Sequence, residues 1–139
     1  MITNIFVNLK VNDLNKSMEF FQKLGWTFNP NFTDQNAAAL EIGQNIYAML
    51  LVENFFKTFT KKEIINAKKS IEVLLALSVE SKEQVNELLE KALGAGATEP
   101  KAAQDLGFMY SRSFEDLDGH VWEILWMDPE AAKNGPPKN

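Results

Sequence analysis

Two stretches of the chain, IFVNLKVNDLNKSMEFFQKLG and VLLALSVESKEQVNELLEKALG, carry the same arrangement of apolar and polar positions when the second is shifted by 68 residues. Val11 falls on Val79, Asp13 on Ser81 and Phe21 on Leu89. Each begins with a short extended apolar run, passes through a residue that caps helices well, and changes to the 3.6-residue period of an amphipathic helix. In the first, Asp13 precedes the stripe Leu14, Met18, Phe21 and Leu24; in the second, Ser81 and Gln84 form a capping box before Val85, Leu88, Leu89 and Ala92. Gly25 and Gly94 or Gly96 end the two helices.

After each helix the period falls to that of short strands. In the first half these cover residues 26–28, 37–42 and 46–52, with turn signals at Asn29-Pro30 and residues 43–45. In the second they are a weak run near Thr98, then residues 108–114 and 121–127, the last two separated by the Asp118-Gly119 turn. The pattern therefore predicts an α+β protein made of tandem βαβββ modules, 1–52 and 70–128. Residues 53–69 read as a helical linker, with a capping box at Thr60 and Glu63 ahead of Ile64, Ile65 and Ala67. Residues 129–139 read as a disordered tail.

The last apolar run, VWEILWM, contains one carboxylate where a buried strand is expected. Alternation places Val121, Glu123 and Leu125 on one face and Trp122, Ile124 and Trp126 on the other. A carboxyl in apolar surroundings has its pKa raised unless it is paired. Glu123 is thus a candidate general acid or base; equally, Arg112 on the preceding strand is a candidate partner in a buried structural pair. The sole histidine, His120, has the parity opposite to Glu123 and reads as a turn residue. Phe55, Phe56 and Phe59 read as packing residues of the linker.

The 139 residues carry a net charge of −5 with scattered lysines, which argues against nucleic acid. There is no cysteine, so neither disulfides nor thiolate metal sites are available, in keeping with a cytoplasmic location. No stretch approaches the about 20 apolar residues of a membrane span. A small molecule, or a second copy of the chain, is the expected partner. No nucleophile elbow is present, and Gly94-Ala95-Gly96 follows a helix instead of opening one, so no phosphate loop is expected.

VNLKVNDLNKSMEFFQKLGW and FEDLDGHVWEILW resemble the opening strand-helix and the closing turn-strand of the vicinal oxygen chelate superfamily. That group contains glyoxalase I, extradiol dioxygenases, and fosfomycin and bleomycin resistance proteins; the chain is most similar to a subset called predicted lactoylglutathione lyases. The resemblance implies a curved mixed eight-stranded sheet around a cavity, commonly in a homodimer. In the metal-using members four inward strand positions supply histidine or acidic ligands. These fall on Phe6, Met49, Leu74 and Glu123, of which Glu123 alone is a donor suited to a divalent metal. No metal or other cofactor is therefore expected. Asn8, Glu72 and Ser78 have inward parity beside those positions, and Tyr110 and Arg112 share a face of the next-to-last strand. With Phe6, Met49 and Leu74 they form the expected ligand-binding set, leaving a metal-free small-molecule-binding protein as the first reading. The alternative is a glyoxalase-like lyase or isomerase, with extradiol-type dioxygenase chemistry less favoured, in which Glu123 moves the proton, either without metal or with a divalent metal bound by an unfamiliar ligand set.

Overall fold

The structure is a computed structural model describing residues 1–138. It divides into two compact units, Met1–Ser70 and the residues from Ile71 onward. The first contains β1 (Ile5–Val11), α1 (Leu14–Lys23), β2 (Thr27–Asn29), β3 (Ala37–Gly43) and β4 (Ile46–Val52). The second repeats the order with β5 (Leu75–Ser78), α3 (Lys82–Gly94), β6 (Gln104–Asp105), β7 (Met109–Glu115) and β8 (Val121–Met127). The two long helices begin at Leu14 and Lys82, and 82 minus 14 reproduces the 68-residue repeat. Instead of one eight-stranded sheet, the strands form two four-stranded sheets, β1-β4-β3-β2 and β5-β8-β7-β6. Each module's first strand pairs in parallel with its own last strand, and the remaining ladders are antiparallel. The tandem α+β architecture is as the pattern predicts.

Local chemistry explains where the helices start and stop. The Asp13 side chain accepts from the Lys16 amide at 3.1 Å, and Ser81 accepts from the Gln84 amide at the same distance. Gln84 completes the second cap by accepting from the Glu80 amide at 2.8 Å, so two orphan donors are satisfied at that end. After α1 the chain turns at Gly25, whose φ of +94° falls in the left-handed region that a side chain disfavours.

Each helix covers one face of its own sheet. In the first module Phe20, Phe21 and Leu24 are buried with Leu9, Val11, Leu40 and Leu50. Phe21 meets Phe20 edge-to-face at 4.9 Å and stacks on Trp26 at 5.5 Å. In the second, Val85, Leu89 and Ala92 of α3 are buried, as are Phe114, Trp122 and Ile124; Phe114 stacks on Trp122 at 6.3 Å. Burying an aromatic side chain of this kind contributes about 1.5–3 kcal/mol relative to leaving it exposed. The alternation expected for the last strand holds, because Trp122 and Ile124 are buried while Glu123 lies on the other face.

Three expectations need correction. The linker helix lies earlier than its predicted capping box: α2 covers Glu53–Phe56 and a 3-10 turn covers Lys57–Phe59. Thr60 caps only a local turn, accepting from the Lys62 amide at 3.1 Å. The helix forms where the chain leaves β4 and packs back on β1 and β4, with Phe55 and Phe59 edge-to-face at 5.2 Å.

The expected disordered tail contains α4 (Pro129–Asn134). Asp128 caps it through the Glu130 and Ala131 amides, Pro129 fits the first helical position, and Ala131 is buried, so the short segment has both a cap and an anchor. The final tail residue, Asn139, lies outside the described residues.

The fifth strand is shorter than its apolar run. Leu75 pairs with Trp122, so in that register Leu74 would meet only Val121, the first residue of β8, and the residues before it would face His120 and the Asp118-Gly119 turn. Glu72 and Leu74 accordingly lie outside the strand and are exposed.

Candidate functional site

The register of the first sheet builds a site on the face turned away from α1. Phe6 pairs with Tyr47, Tyr47 with Glu41, and Glu41 with Thr27, so these four form one row across the sheet. The next row on that face is Asn8, Met49, Ala39 and Asn29. Side chains alternate along a strand, and both rows therefore project to the same side. The small Ala39 side chain leaves space between Met49 and Asn29. A pocket of about 260 Å³ occupies this region, walled by Phe6, Tyr47, Met49, Ala39 and Glu41. Asn4, Asn29 and Phe32 complete its rim.

Phe6 and Tyr47 stack with ring centroids 5.0 Å apart and planes 12° apart. Phe6 is 53% exposed and Phe32 68%. Apolar surface left open beside a concavity is what a ligand site presents, whereas isolated exposed apolar residues carry no such meaning. The volume falls below the about 300–1,000 Å³ of drug-sized sites, which suits a small ligand. The Asn29 side chain is already engaged, accepting from the Asn31 amide at 3.0 Å. The Glu41 carboxylate makes no hydrogen bond or ion pair with any described residue, although the residue is half-buried.

Of the expected ligand-binding residues, Phe6 and Met49 line this pocket; Asn8 shares their face without lining it. Glu41 and Tyr47 were not foreseen. A clue lay in the alternation of AAALEIG and IYAMLLV, where Glu41 and Tyr47 have the parity of Ala39 and Met49.

In the second module, Glu123 pairs in register with Ala76 and Ser113 on the face turned away from α3. Its Oε1 lies 3.3 Å from Lys101 Nζ, with the Glu123 side chain 24% exposed. Ser113 is buried and its hydroxyl has no hydrogen-bond partner among the described groups.

Arg112 does not neutralise Glu123. It pairs with Ile124 and Tyr110 pairs with Trp126, which puts both on the opposite, helix-bearing face. The Arg112 guanidinium forms a two-pronged bond to Glu99, Nε to Oε2 at 2.9 Å and Nη2 to Oε1 at 2.8 Å. Nη1 donates to Asn86 at 3.0 Å and to Glu90 at 3.2 Å, both on α3. The Tyr110 hydroxyl donates to the same Asn86 oxygen at 2.8 Å. This arrangement ties β7 to α3 and to the segment before β6. Hydrogen bonding to Arg112 holds the Glu99 carboxyl below its ordinary value despite partial burial. Glu99 raises the already high Arg112 value further, against the cost of burial.

Asp116, which the sequence pattern did not single out, organises the turn before β8. Its Oδ1 accepts from the amides of Asp118 at 2.9 Å and His120 at 3.0 Å, while Oδ2 accepts from the Trp122 indole at 3.0 Å. Burial pushes its carboxyl up; the charge of His120 and these donors pull the other way without cancelling it. His120 is thereby part of the turn, as its parity suggested.

The divalent metal of the resembling superfamily does not fit this donor set. Phenylalanine and leucine carry no lone pair to donate, and a methionine thioether suits Zn²⁺, Ni²⁺ or Fe²⁺ poorly. Among the described residues no group of three or more His, Cys, Asp or Glu side chains is arranged to hold a metal ion. No helix among them is long and apolar enough to cross a membrane.

Residues 3–43 match the family model described as bleomycin resistance protein-like N-terminal. No curated protein matches the chain. Among solved structures, a hypothetical protein of S. aureus is 29% identical, with a TM-score of 0.76 over 91% of this chain and 95% of that one. A glyoxalase/bleomycin resistance protein/dioxygenase family enzyme of Burkholderia phytofirmans is 21% identical, with a TM-score of 0.72 over 88% of this chain and 96% of that one. The fosfomycin resistance protein of Listeria monocytogenes, solved as a mutant with manganese(II) and 1S,2S-dihydroxypropylphosphonic acid, is 20% identical, with a TM-score of 0.66 over 89% of this chain and 90% of that one. The first module is thus similar in sequence to bleomycin resistance protein-like N-terminal regions, and the chain shares its fold with solved glyoxalase/bleomycin resistance/dioxygenase proteins.

Proposed function

We propose that the protein binds a small amphipathic molecule in the pocket of its first module, without the divalent metal used elsewhere in the superfamily. One observation carries the reading: Phe6 and Met49, at two positions where the resemblance puts metal ligands, wall an open pocket beside Tyr47 and Glu41. An apolar wall with one or two polar groups gives a ligand both burial and orientation. Retention of the fold with loss of its donor set is consistent with binding by shape and polarity instead of chelation. The same reading takes the protein as a homodimer, as the resemblance implies, and as cytoplasmic, in keeping with its lack of cysteine.

Two measurements test it on the untagged protein. Elemental analysis is expected to find divalent metal well below one equivalent. An amide-resolved NMR screen of small amphipathic compounds is expected to shift the signals of Phe6, Tyr47 and Met49, and Ala39→Leu, which fills the space beside Met49, is expected to abolish those shifts while leaving the rest of the spectrum in place. A full equivalent of metal that disappears in Glu123→Gln would sink the metal-free reading. Shifts that persist in Ala39→Leu would remove the pocket from it.

A further inference from the structure

The polar chemistry of the first-module pocket is one-sided. Glu41 is the sole charged side chain among its lining residues, and no lysine or arginine joins it. Its carboxylate has no partner among the described residues. In the same sheet row stand Tyr47 and Phe6, and Phe32 adds a third ring at the rim. An anionic ligand would meet Glu41 without any compensating positive charge. A neutral ligand without a hydrogen-bond donor would strip water from the carboxylate and return nothing to it, and one with a donor would leave its charge unanswered. A cation answers both conditions, since the carboxylate supplies a charge partner and the aromatic rings attract positive charge through their quadrupoles. Met49 adds a polarizable, adaptable wall for the apolar part.

We propose that this pocket selects an organic cation joined to a flat apolar body, of the arylammonium class, and that Glu41 is the residue that sets this specificity. The proposal rests on the small-molecule-binding reading above and adds the ligand's charge.

Phenyltrimethylammonium and tert-butylbenzene have the same shape and differ in one formal charge, so titrating each into the full chain by NMR separates the two claims. The cation is expected to shift the Phe6, Glu41, Tyr47 and Met49 signals and to bind about ten-fold more tightly than its neutral counterpart. Glu41→Gln is expected to remove most of that difference, with signals of the second module unchanged as evidence of folding. Tyr47→Leu serves as a second variant, expected to weaken the cation more than the neutral compound. Equal binding of the two compounds to the wild type would overturn the charge selection and leave small-molecule binding standing. A preference that survives Glu41→Gln would overturn the assignment to that residue. If neither compound shifts the pocket signals, the charge selection and the binding reading fall together.

Discussion

The two modules share strand order, register type and helix placement, yet they use their polar residues on opposite faces. In the first, the helix-bearing face is apolar, closed by Phe20, Phe21 and Leu24, and the polar and aromatic residues Glu41, Tyr47 and Phe6 stand on the other face around open space. In the second, Arg112 and Tyr110 occupy the helix-bearing face and bind Asn86, Glu90 and Glu99. On its other face Glu123 is answered by Lys101. Groups already paired inside a module gain little from a ligand, whereas an unpaired carboxylate beside aromatic rings has its interactions still to make. Repetition of a fold therefore need not repeat its chemistry.

The largest expected effect tests whether the second module depends on its internal polar contacts. Asp116→Asn retains an oxygen for the two turn amides but turns an NH₂ toward the Trp122 indole N–H, placing donor against donor. A buried donor left unsatisfied costs about 1–3 kcal/mol, so urea denaturation should show a loss of about 2 kcal/mol. A loss below the error of the measurement would show that the turn does not rely on this carboxyl.

A smaller loss, about 1–2 kcal/mol after allowance for the partly exposed Glu99 and the exposed Glu90, is expected for Arg112→Met. Its pH dependence has a definite sign. Because the folded Glu99 carboxyl titrates below its unfolded value, the pair's contribution is present above the ordinary carboxylate range and disappears as pH falls through the lowered folded value. The stability gap between wild type and Arg112→Met should therefore narrow in acid. A gap that widened there would contradict the pairing.

The smallest effect is expected at Ser113, whose buried hydroxyl is unpartnered. Ser113→Ala should be neutral or stabilising, by less than about 1 kcal/mol in thermal unfolding. A clear destabilisation would reveal that the hydroxyl is bonded in solution and that this face of the second module is less idle than its contacts indicate.

Much of this architecture was legible in the chain itself. Helix starts follow from Asp13 and Ser81, whose side chains reach amides three residues on. Strand parity follows from a two-residue period, so Trp122 and Glu123 could be assigned to opposite faces without coordinates. The 68-residue repeat expressed the shared topology, because each module meets the same requirement to bury one helix stripe on one sheet face.

Partner choice was not legible, since it depends on residues far apart in sequence. Arg112 and Glu123 are near neighbours along the chain, yet the β7-β8 register turns them to opposite faces and brings Arg112 to Glu99 and to α3. Asp116 became a structural residue only when a turn wrapped its carboxyl in three donors. Phe6, Tyr47 and Glu41 come together because β1 pairs with β4 and β4 with β3, contacts between strands that no local pattern specifies. Periodicity and capping act within a few residues and so determined the elements and their buried sides; charge pairing and the pocket arise from side chains meeting across strands, and tertiary structure decided them.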